Sequence, residues 1–204
     1  MHLSRPARLA APALAALTLT TVLASPACAA PAIVSRDNNQ VVFTAQPGAT
    51  NTVTFSTPGG WLQVEDRTSR MVPGSGCSRF NNDPHIIRCG HSAAVTRLQA
   101  SLGDRDDVVR NETSIPSDLT GGPGDDTLIG GSGPDRLIDA DGWNAVPGSN
   151  TFQGRGGNDT IVSRNGGHDR IDCGESLADL DILLADQAAL DHLVPHTCEY
   201  VQRG

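Results

Sequence analysis

The stretch GGPGDDTLIGGSGPDRLI, residues 121–138, decides the fold of this chain. It consists of two adjacent nonapeptides of the form G-G-x-G-x-D-x-U-x, in which U is a large apolar residue. The glycines place backbone where a side chain would not fit, the aspartate follows at a fixed phase, and the apolar residue points inward two positions later. This tandem pattern predicts a parallel β-roll, a β-solenoid in which each nonapeptide supplies one turn and one short strand.

Less regular copies flank the pair and can be aligned on the aspartate that follows the glycine turn. Upstream, LGDRDDVV places Asp107 in this position but has Arg105 where the pattern needs glycine. Residues 111–120 are expected to interrupt the array as a loop. All the units together supply roughly five to seven half-turns, more than the three or so repeats that a solenoid needs.

Downstream of the pair, the aspartate position is filled less regularly. DADGWNAV puts Asn144 there, and GSNTFQ is a short unit around Asn150. Two better units follow, GRGGNDTIV around Asp159 and RNGGHDRID around Asp169. The glycine and aspartate β-roll is therefore expected to occupy residues 103–173.

Both flanks of the array are expected to be β-rich. Residues 30–102 contain short alternating or apolar runs between glycine and proline turns, which predicts an all-β N-terminal portion continuous with the roll. These runs are VVFTA (41–45), NTVTFST (51–57), WLQVED (61–66), HIIRC (85–89) and AVTRLQASL (94–102).

Residues 174–204 are expected to form a C-terminal cap, because an uncovered solenoid end invites edge pairing. Residues 177–193 can be read as a helix or as a last pair of strands. Strands are preferred, with LDILLAD in phase with Asp181.

Residues 1–29 have the three parts of a secretory signal peptide: a basic start, an apolar stretch, and Ala27-Cys28-Ala29 at the cleavage site. The mature chain is expected to begin at Ala30 and to be secreted. Lipidation of Cys28 is the alternative, although the usual apolar residue three positions upstream is missing. No other segment approaches the roughly 18 apolar residues of a membrane span.

The charge of the chain favours cations as partners. The formal net charge is −8, and removal of the leader with Arg5 and Arg8 and no acidic residue changes it to −10. Most of the acidic residues are aspartates that lie among the glycines from Asp104 onward, a composition typical of turns. Such acidity argues against nucleic acid or an anionic membrane as a partner.

Four cysteines remain after the leader: Cys77, Cys89, Cys173 and Cys198. In an exported protein the short separations favour disulfides between Cys77 and Cys89 and between Cys173 and Cys198. A metal site of four thiolates is disfavoured because the chain has no CxxC motif.

Stacked turns of this composition suit a hard cation. Two nonapeptides complete one coil, so turns about eighteen residues apart lie on the same side. Two such turns offer about six carbonyl and carboxylate oxygens, a shell that Ca²⁺ accepts more readily than Mg²⁺. The predicted metal-site residues are Gly121, Pro123, Asp126, Gly130, Ser132, Asp135, Asp139, Asp141, Gly154, Gly156, Asp159 and Asp169.

The pairing of turns across residues 139–153 has two solutions. In the first, turn 121–126 shares an ion with the following DADGWN turn, in which Asn144 replaces the aspartate, and turn 130–135 pairs with the shortened unit near residues 148–153. In the second, residues 139–153 form one long loop, and turn 130–135 pairs with turn 154–159. Either solution predicts roughly one to three ions.

Two further side chains are weighed as ligands. The Asp107 unit fits a plain turn as well as a metal site, because Arg105 removes a flexible glycine and brings positive charge toward the cation. His168 is expected to be solvated, since calcium prefers oxygen.

On these motifs the chain resembles secreted calcium-binding proteins of the RTX, or hemolysin-type calcium-binding repeat, superfamily, and among them a small actinobacterial type. Residues 121–138 carry the resemblance, with support from residues 154–172 and from segments similar to LGDRDDVV, IDCGES and HTCEYV that frame the array. The resemblance implies a parallel β-roll whose turn backbone and aspartates bind Ca²⁺.

The expected function is that of an exported monomer that Ca²⁺ folds and stabilises, and not of an enzyme. The sequence has no G-x-S-x-G or HExxH motif, and Cys89, between His85 and His91, is expected to form a disulfide. The alternatives are an adhesin or matrix component, for which an aromatic content of 3% offers few sugar-stacking side chains, and an enzyme with a calcium-stabilised solenoid module.

Overall fold

The computed structural model describes residues 30–140, 147–174, 179–187, 189–195 and 197–204, and this part of the chain is all-β, as predicted. The strands are β1 (Ala32–Asp37), β2 (Gln40–Thr44), β3 (Thr52–Ser56), β4 (Trp61–Asp66), β5 (Met71–Pro73), β6 (Ser78–Arg79), β7 (Ile86–His91), β8 (Arg97–Ser101), β9 (Val108–Asn111), β10 (Ser117–Thr120), β11 (Thr127–Ile129), β12 (Asp135–Ile138), β13 (Thr151–Gln153), β14 (Thr160–Ser163), β15 (Arg170–Asp172), β16 (Ile182–Ala185), β17 (His192–Leu193) and β18 (Tyr200–Arg203). Two single 3₁₀ turns, Pro58–Gly60 and Ser92–Ala94, precede β4 and follow β7.

The described strands form two sheets, and from β8 onward the chain alternates between them. The first sheet has the order β18-β16-β14-β12-β10-β8-β2-β1-β5, and the second has the order β17-β15-β13-β11-β9-β3-β4-β7-β6. Neighbours are parallel from β2 to β18 in the first sheet. They are also parallel from β3 to β17 in the second. The fold is thus the β-solenoid that the tandem nonapeptides predict.

The core of the roll is built from single apolar side chains stacked in register. Because alternate residues of a strand face opposite sides, each short strand buries one large side chain, which in a nonapeptide is residue U. In the first sheet the stack is Leu119, Leu137, Ile161 and Leu183. In the second it is Val109, Leu128, Phe152 and Ile171. All are fully buried, and each contributes roughly 1.5–3 kcal/mol by leaving water.

The N-terminal portion extends this core with antiparallel strands. β1 pairs with β2, β3 with β4, and β7 with both β4 and β6 in antiparallel fashion. The buried side chains of this portion belong to the same hydrophobic cluster as those of the roll. The predicted disulfide between Cys77 and Cys89 ties this end together.

The prediction of a loop over residues 111–120 is wrong. β9 ends at Asn111 and β10 begins at Ser117, so only a short turn separates two strands. The Asn111 side-chain oxygen accepts hydrogen bonds from the N–H and the hydroxyl of Thr113 at 2.9 and 2.7 Å. This asparagine turn closes the coil without a nonapeptide glycine, and Leu119 fills the core position.

Of the second solution across residues 139–153, the pairing of turn 130–135 with turn 154–159 is confirmed, whereas residues 151–153 form a strand and not part of a loop. β12 ends at Ile138 and β13 begins at Thr151, and β12 pairs with β14, so turn 154–159 follows turn 130–135 on the same edge. As in the first solution, turn 121–126 is followed on its edge by a turn that begins at Asp139, but Asn150 occupies the position level with Asp126. Asn144 and Asp141 lie outside the described residues.

The preference for strands near the C-terminus is confirmed by β16, β17 and β18, while residues 177 and 178 lie outside the described part of the chain. The predicted disulfide between Cys173 and Cys198 joins this segment to the repeats. β18 is the last strand of its sheet, and Tyr200 and Val201 are exposed on it. No helix among the described residues has the length and apolar character of a membrane span.

Candidate metal centre

The turns between the two sheets stack along two edges of the roll, and each turn ends in a polar residue at the aspartate position. Along the first edge these residues are Asn51, Asp107, Asp126, Asn150, Asp169 and Asp191, and along the second they are Ser117, Asp135, Asp159, Asp181 and Glu199. All except Glu199 are at most 5% exposed. The structure therefore divides the predicted carboxylates between two edges.

In both rows one side-chain oxygen accepts the N–H of the previous residue of the row, from Asp107 to Asp169 on the first edge and from Asp135 to Glu199 on the second. Asp126 Oδ1 accepts the N–H of Asp107 at 2.9 Å, and Asp159 Oδ1 accepts the N–H of Asp135 at 2.8 Å. The same contact links Asn51 to Asp107, Asp126 to Asn150, Asn150 to Asp169, Ser117 to Asp135, Asp159 to Asp181 and Asp181 to Glu199. We call these two rows the polar ladders. They satisfy buried N–H groups that would otherwise cost free energy.

The second carboxylate oxygen has no hydrogen-bond partner at Asp107, Asp159, Asp169 and Asp191. Burial, together with repulsion by neighbouring acidic side chains, raises the pKa of Asp159 to about 8 and the pKa of Asp107 and Asp169 to about 7. A buried carboxylate is stable only when it is neutralised by a proton or a cation. These three positions therefore have the electrostatics of a cation site.

The glycines leave room for oxygens at the same places. A Cβ on Gly154 would overlap Asp159 Oδ2, and a Cβ on Gly130 would lie 2.6 Å from Asp135 Oδ2. A Cβ on Gly131 would overlap the carbonyl oxygen of Thr113 in the neighbouring turn. Carboxylate and carbonyl oxygens thus occupy the space that side chains would fill, and hard oxygen donors are the ligands that Ca²⁺ takes.

No three His, Cys, Asp or Glu side chains of the described residues are grouped so that they could hold a metal ion. An ion in these turns must therefore draw most of its ligands from backbone carbonyls, as glycine-rich turns allow. The donor set fits calcium better than zinc, which binds nitrogen and sulfur ligands.

Asp135 differs from Asp107, Asp159 and Asp169 because both of its oxygens accept hydrogen bonds. Oδ1 accepts from the N–H and hydroxyl of Ser117 at 2.8 and 2.6 Å, and Oδ2 accepts from the N–H of Gly131. Arg155, which has φ 75°, donates to the carbonyl of Asn111 at 3.3 Å and lines a groove together with Thr113, Gly131 and Ser132. Hydrogen bonds and a guanidinium thus stabilise this carboxylate from within the chain.

Other residues of the predicted metal site form hydrogen bonds with neighbouring turns. The carbonyl of Pro123 accepts the N–H of Arg105 at 2.8 Å, the N–H of Ser132 donates to Thr113, and the N–H of Gly156 donates to Gly131. Asp139 accepts hydrogen bonds from the amides of Asn150 and Asn165, so it joins the first edge.

The sequence pattern misses Asn51 and Asp191 as ladder positions. Their turns, QPGATN and DQAALD, lack the spaced glycines, and the one signal available is a polar residue directly before a strand. His168 is exposed, as predicted, with Nδ1 3.0 Å from the carbonyl oxygen of Leu190.

Acidification from about pH 8 to about pH 5 is expected to stabilise the metal-free protein. The pKa values of Asp107, Asp159 and Asp169 are raised in the folded state, so the folded chain holds protons that the unfolded chain has lost. This stabilisation is complete near pH 4 and is lost as the pH rises through about 7 to 8. Thermal melts in EGTA measure it, and a higher midpoint at pH 8 than at pH 5 would contradict it.

Comparison with known families agrees with this geometry. Residues 120–146 and 144–174 match the family model described as RTX calcium-binding nonapeptide repeat (4 copies). No curated protein and no solved structure gives a match. The RTX nonapeptide repeat family binds Ca²⁺, and the matched residues include the turns that end in Asp126, Asp135, Asp159 and Asp169. The chain is therefore an all-β solenoid protein that carries RTX calcium-binding nonapeptide repeats.

Proposed function

We propose that the chain is an exported calcium-binding protein in which Ca²⁺ folds and stabilises the β-solenoid. The observation that carries this proposal is the pair of buried, unpartnered carboxylate oxygens of Asp159 and Asp169 beside glycine-lined turns. Carbonyl oxygens of the stacked turns would complete the ligand set. We propose as ligands the metal-site residues predicted from the sequence, among which Asp159 and Asp169 are the principal carboxylates.

A bound calcium ion supplies positive charge where the chain itself has little. Residues 103–204 contain 19 acidic residues and 7 arginines, a net charge of −12, whereas residues 30–102 contain 4 acidic residues and 6 arginines. Without a bound cation, the negatively charged side chains along both ladders repel one another. Because the turns approach one another only in the folded chain, the free energy of calcium binding contributes to the free energy of folding.

Export is supported by two independent features. Residues 1–29 have the composition of a signal peptide, and the two disulfides are typical of proteins in oxidising compartments.

We also infer a binding role and not a catalytic one. Strongly raised carboxylate pKa values often mark an active site. Here Asp107, Asp159 and Asp169 recur at one position of a structural repeat, and metal binding accounts for them without a reaction.

Replacement of Asp159 by Asn is expected to remove or weaken at least tenfold one calcium site and to leave the metal-free protein as stable as before or more stable. The amide oxygen can still accept the N–H of Asp135, while the buried negative charge disappears. Calorimetric titration with Ca²⁺ measures the first effect, and urea unfolding in EGTA measures the second. Asp37→Asn, an equal charge change at an exposed position, is the control. Unchanged calcium binding in Asp159→Asn would refute the role of Asp159.

A further inference from the structure

A group of polar side chains lies where the N-terminal strands meet the roll. Asp107 directly precedes β9, Asn51 directly precedes β3, and Asp66 ends β4. These three strands are neighbours in the second sheet, and because β4 runs antiparallel to β3, all three residues lie at the same end of the strands. Each residue is at most 1% exposed.

The two carboxylates of this group accept hydrogen bonds from adjacent residues of the chain. Asp107 Oδ1 accepts hydrogen bonds from the N–H of Asn51 at 2.6 Å and from its side-chain amide at 3.2 Å. Asp66 Oδ1 accepts the N–H of the next residue, Thr52, at 3.0 Å. Asp107 and Asp66 therefore bind the N–H groups of two successive residues, and the Asn51 side chain also contacts Asp107.

Each of the three side chains keeps one buried oxygen without a hydrogen-bond partner, namely Asp66 Oδ2, Asn51 Oδ1 and Asp107 Oδ2. The ion pairs found among the described residues involve neither aspartate. The guanidinium of Arg105 faces Gly48 farther along the turn. Two carboxylates buried side by side without a countercharge are costly, and an amide oxygen beside them completes the start of a cation shell.

We propose that Asp66, Asn51 and Asp107 hold a further cation, Ca²⁺, at the junction between the antiparallel strands and the first coil of the roll. This site lies outside the matched repeats at 120–174, and its proposed ligands are side-chain oxygens. The donors are all hard oxygens, which selects calcium over zinc. The bound ion would join three strands that come from different parts of the sequence.

The decisive variant is Asp66→Asn in the full mature protein. Its amide oxygen keeps the acceptor role toward the N–H groups of Thr52, Thr68 and Ser69, whereas the nitrogen replaces the unpartnered oxygen with a donor. Titration with Ca²⁺ alone, by calorimetry and by equilibrium dialysis, is expected to show one ion fewer per chain. Asp37→Asn serves as the charge-matched control. Unchanged stoichiometry in a variant with the wild-type circular dichroism spectrum would overturn the proposal.

A second variant keeps the test informative if Asp66→Asn does not fold. Asn51→Asp adds a third carboxylate to the site and is expected to tighten one calcium site about tenfold, since ligand charge raises Ca²⁺ affinity. No change in any calcium affinity would again overturn the proposal.

The two proposals fail separately. If the repeats do not bind calcium, Asp159→Asn leaves the titration unchanged while Asp66→Asn still removes an ion. If the junction does not bind calcium, Asp66→Asn leaves the titration unchanged while Asp159→Asn still alters it.

Discussion

Transfer of the mature protein from EGTA to millimolar Ca²⁺ is expected to raise its thermal midpoint by about 10–20 °C. One ion at a hundred times its dissociation constant stabilises the folded state by about 2.7 kcal/mol, so two ions contribute about 5 kcal/mol. For a chain of this size, 1 kcal/mol corresponds to about 2–4 °C. The shift is large because the ions neutralise carboxylates that are buried without partners, as at Asp159 and Asp169.

Calorimetric scans at one protein concentration measure this shift. Magnesium at the same concentration is the control, since Mg²⁺ demands a tight octahedron and keeps its waters, and it is expected to produce a much smaller change. Equal midpoints in EGTA and in calcium would contradict the proposed function. An equal shift with magnesium would contradict the assignment of calcium.

Gly157→Ala is expected to destabilise the calcium-bound protein by about 3 kcal/mol or more, which lowers its midpoint by about 6–12 °C. Gly157 has φ 101°, a conformation that L side chains rarely adopt, and a Cβ there would lie 2.6 Å from the carbonyl carbon of Gly133 in the neighbouring turn. The two turns would have to separate, and calcium affinity is expected to fall with them. Urea unfolding in saturating Ca²⁺ gives the free energy of unfolding.

The adjacent residue supplies a matched control. A Cβ on Gly156 would meet no atom within 4 Å, and the φ of Gly156 lies outside the range that L side chains avoid. Gly156→Ala is therefore expected to change the free energy of unfolding by no more than about 0.5 kcal/mol. Equal effects of the two substitutions would show that close stacking of the turns is not what requires glycine at position 157.

The sequence predicts the roll wherever spaced glycines and an aspartate coincide. Gly121 to Ile138 specify two turns and two strands because each residue type has one steric or hydrogen-bonding role. The sequence pattern does not predict the turn after Asn111, because the Asn111 side chain closes this turn and no glycine marks it. The closing hydrogen bonds, from Thr113 to Asn111, are visible only in the structure. The antiparallel pairing of β4 with β7 likewise depends on contacts between distant segments.

The carboxylate positions of the candidate site follow from the nonapeptide phase, but their environments do not. Asp135 and Asp159 occupy equivalent positions, yet only Asp159 keeps an unpartnered oxygen. The difference arises from Gly131, whose N–H donates to Asp135 Oδ2, and from Ser117, whose hydroxyl is a second donor to Asp135 Oδ1. Which residues lie next to each ladder aspartate depends on the number of residues in the coils between them, and the nonapeptide pattern does not specify this number.

Every rung of the polar ladders has the same polarity: the N–H of an earlier coil is satisfied by a side chain of the coil that follows it. A ribosome delivers the earlier coils first, when their acceptors do not yet exist. Each coil is therefore completed only when the next coil has packed against it, and removal of the last coils would leave the ladder N–H of the new terminal coil without its side-chain acceptor.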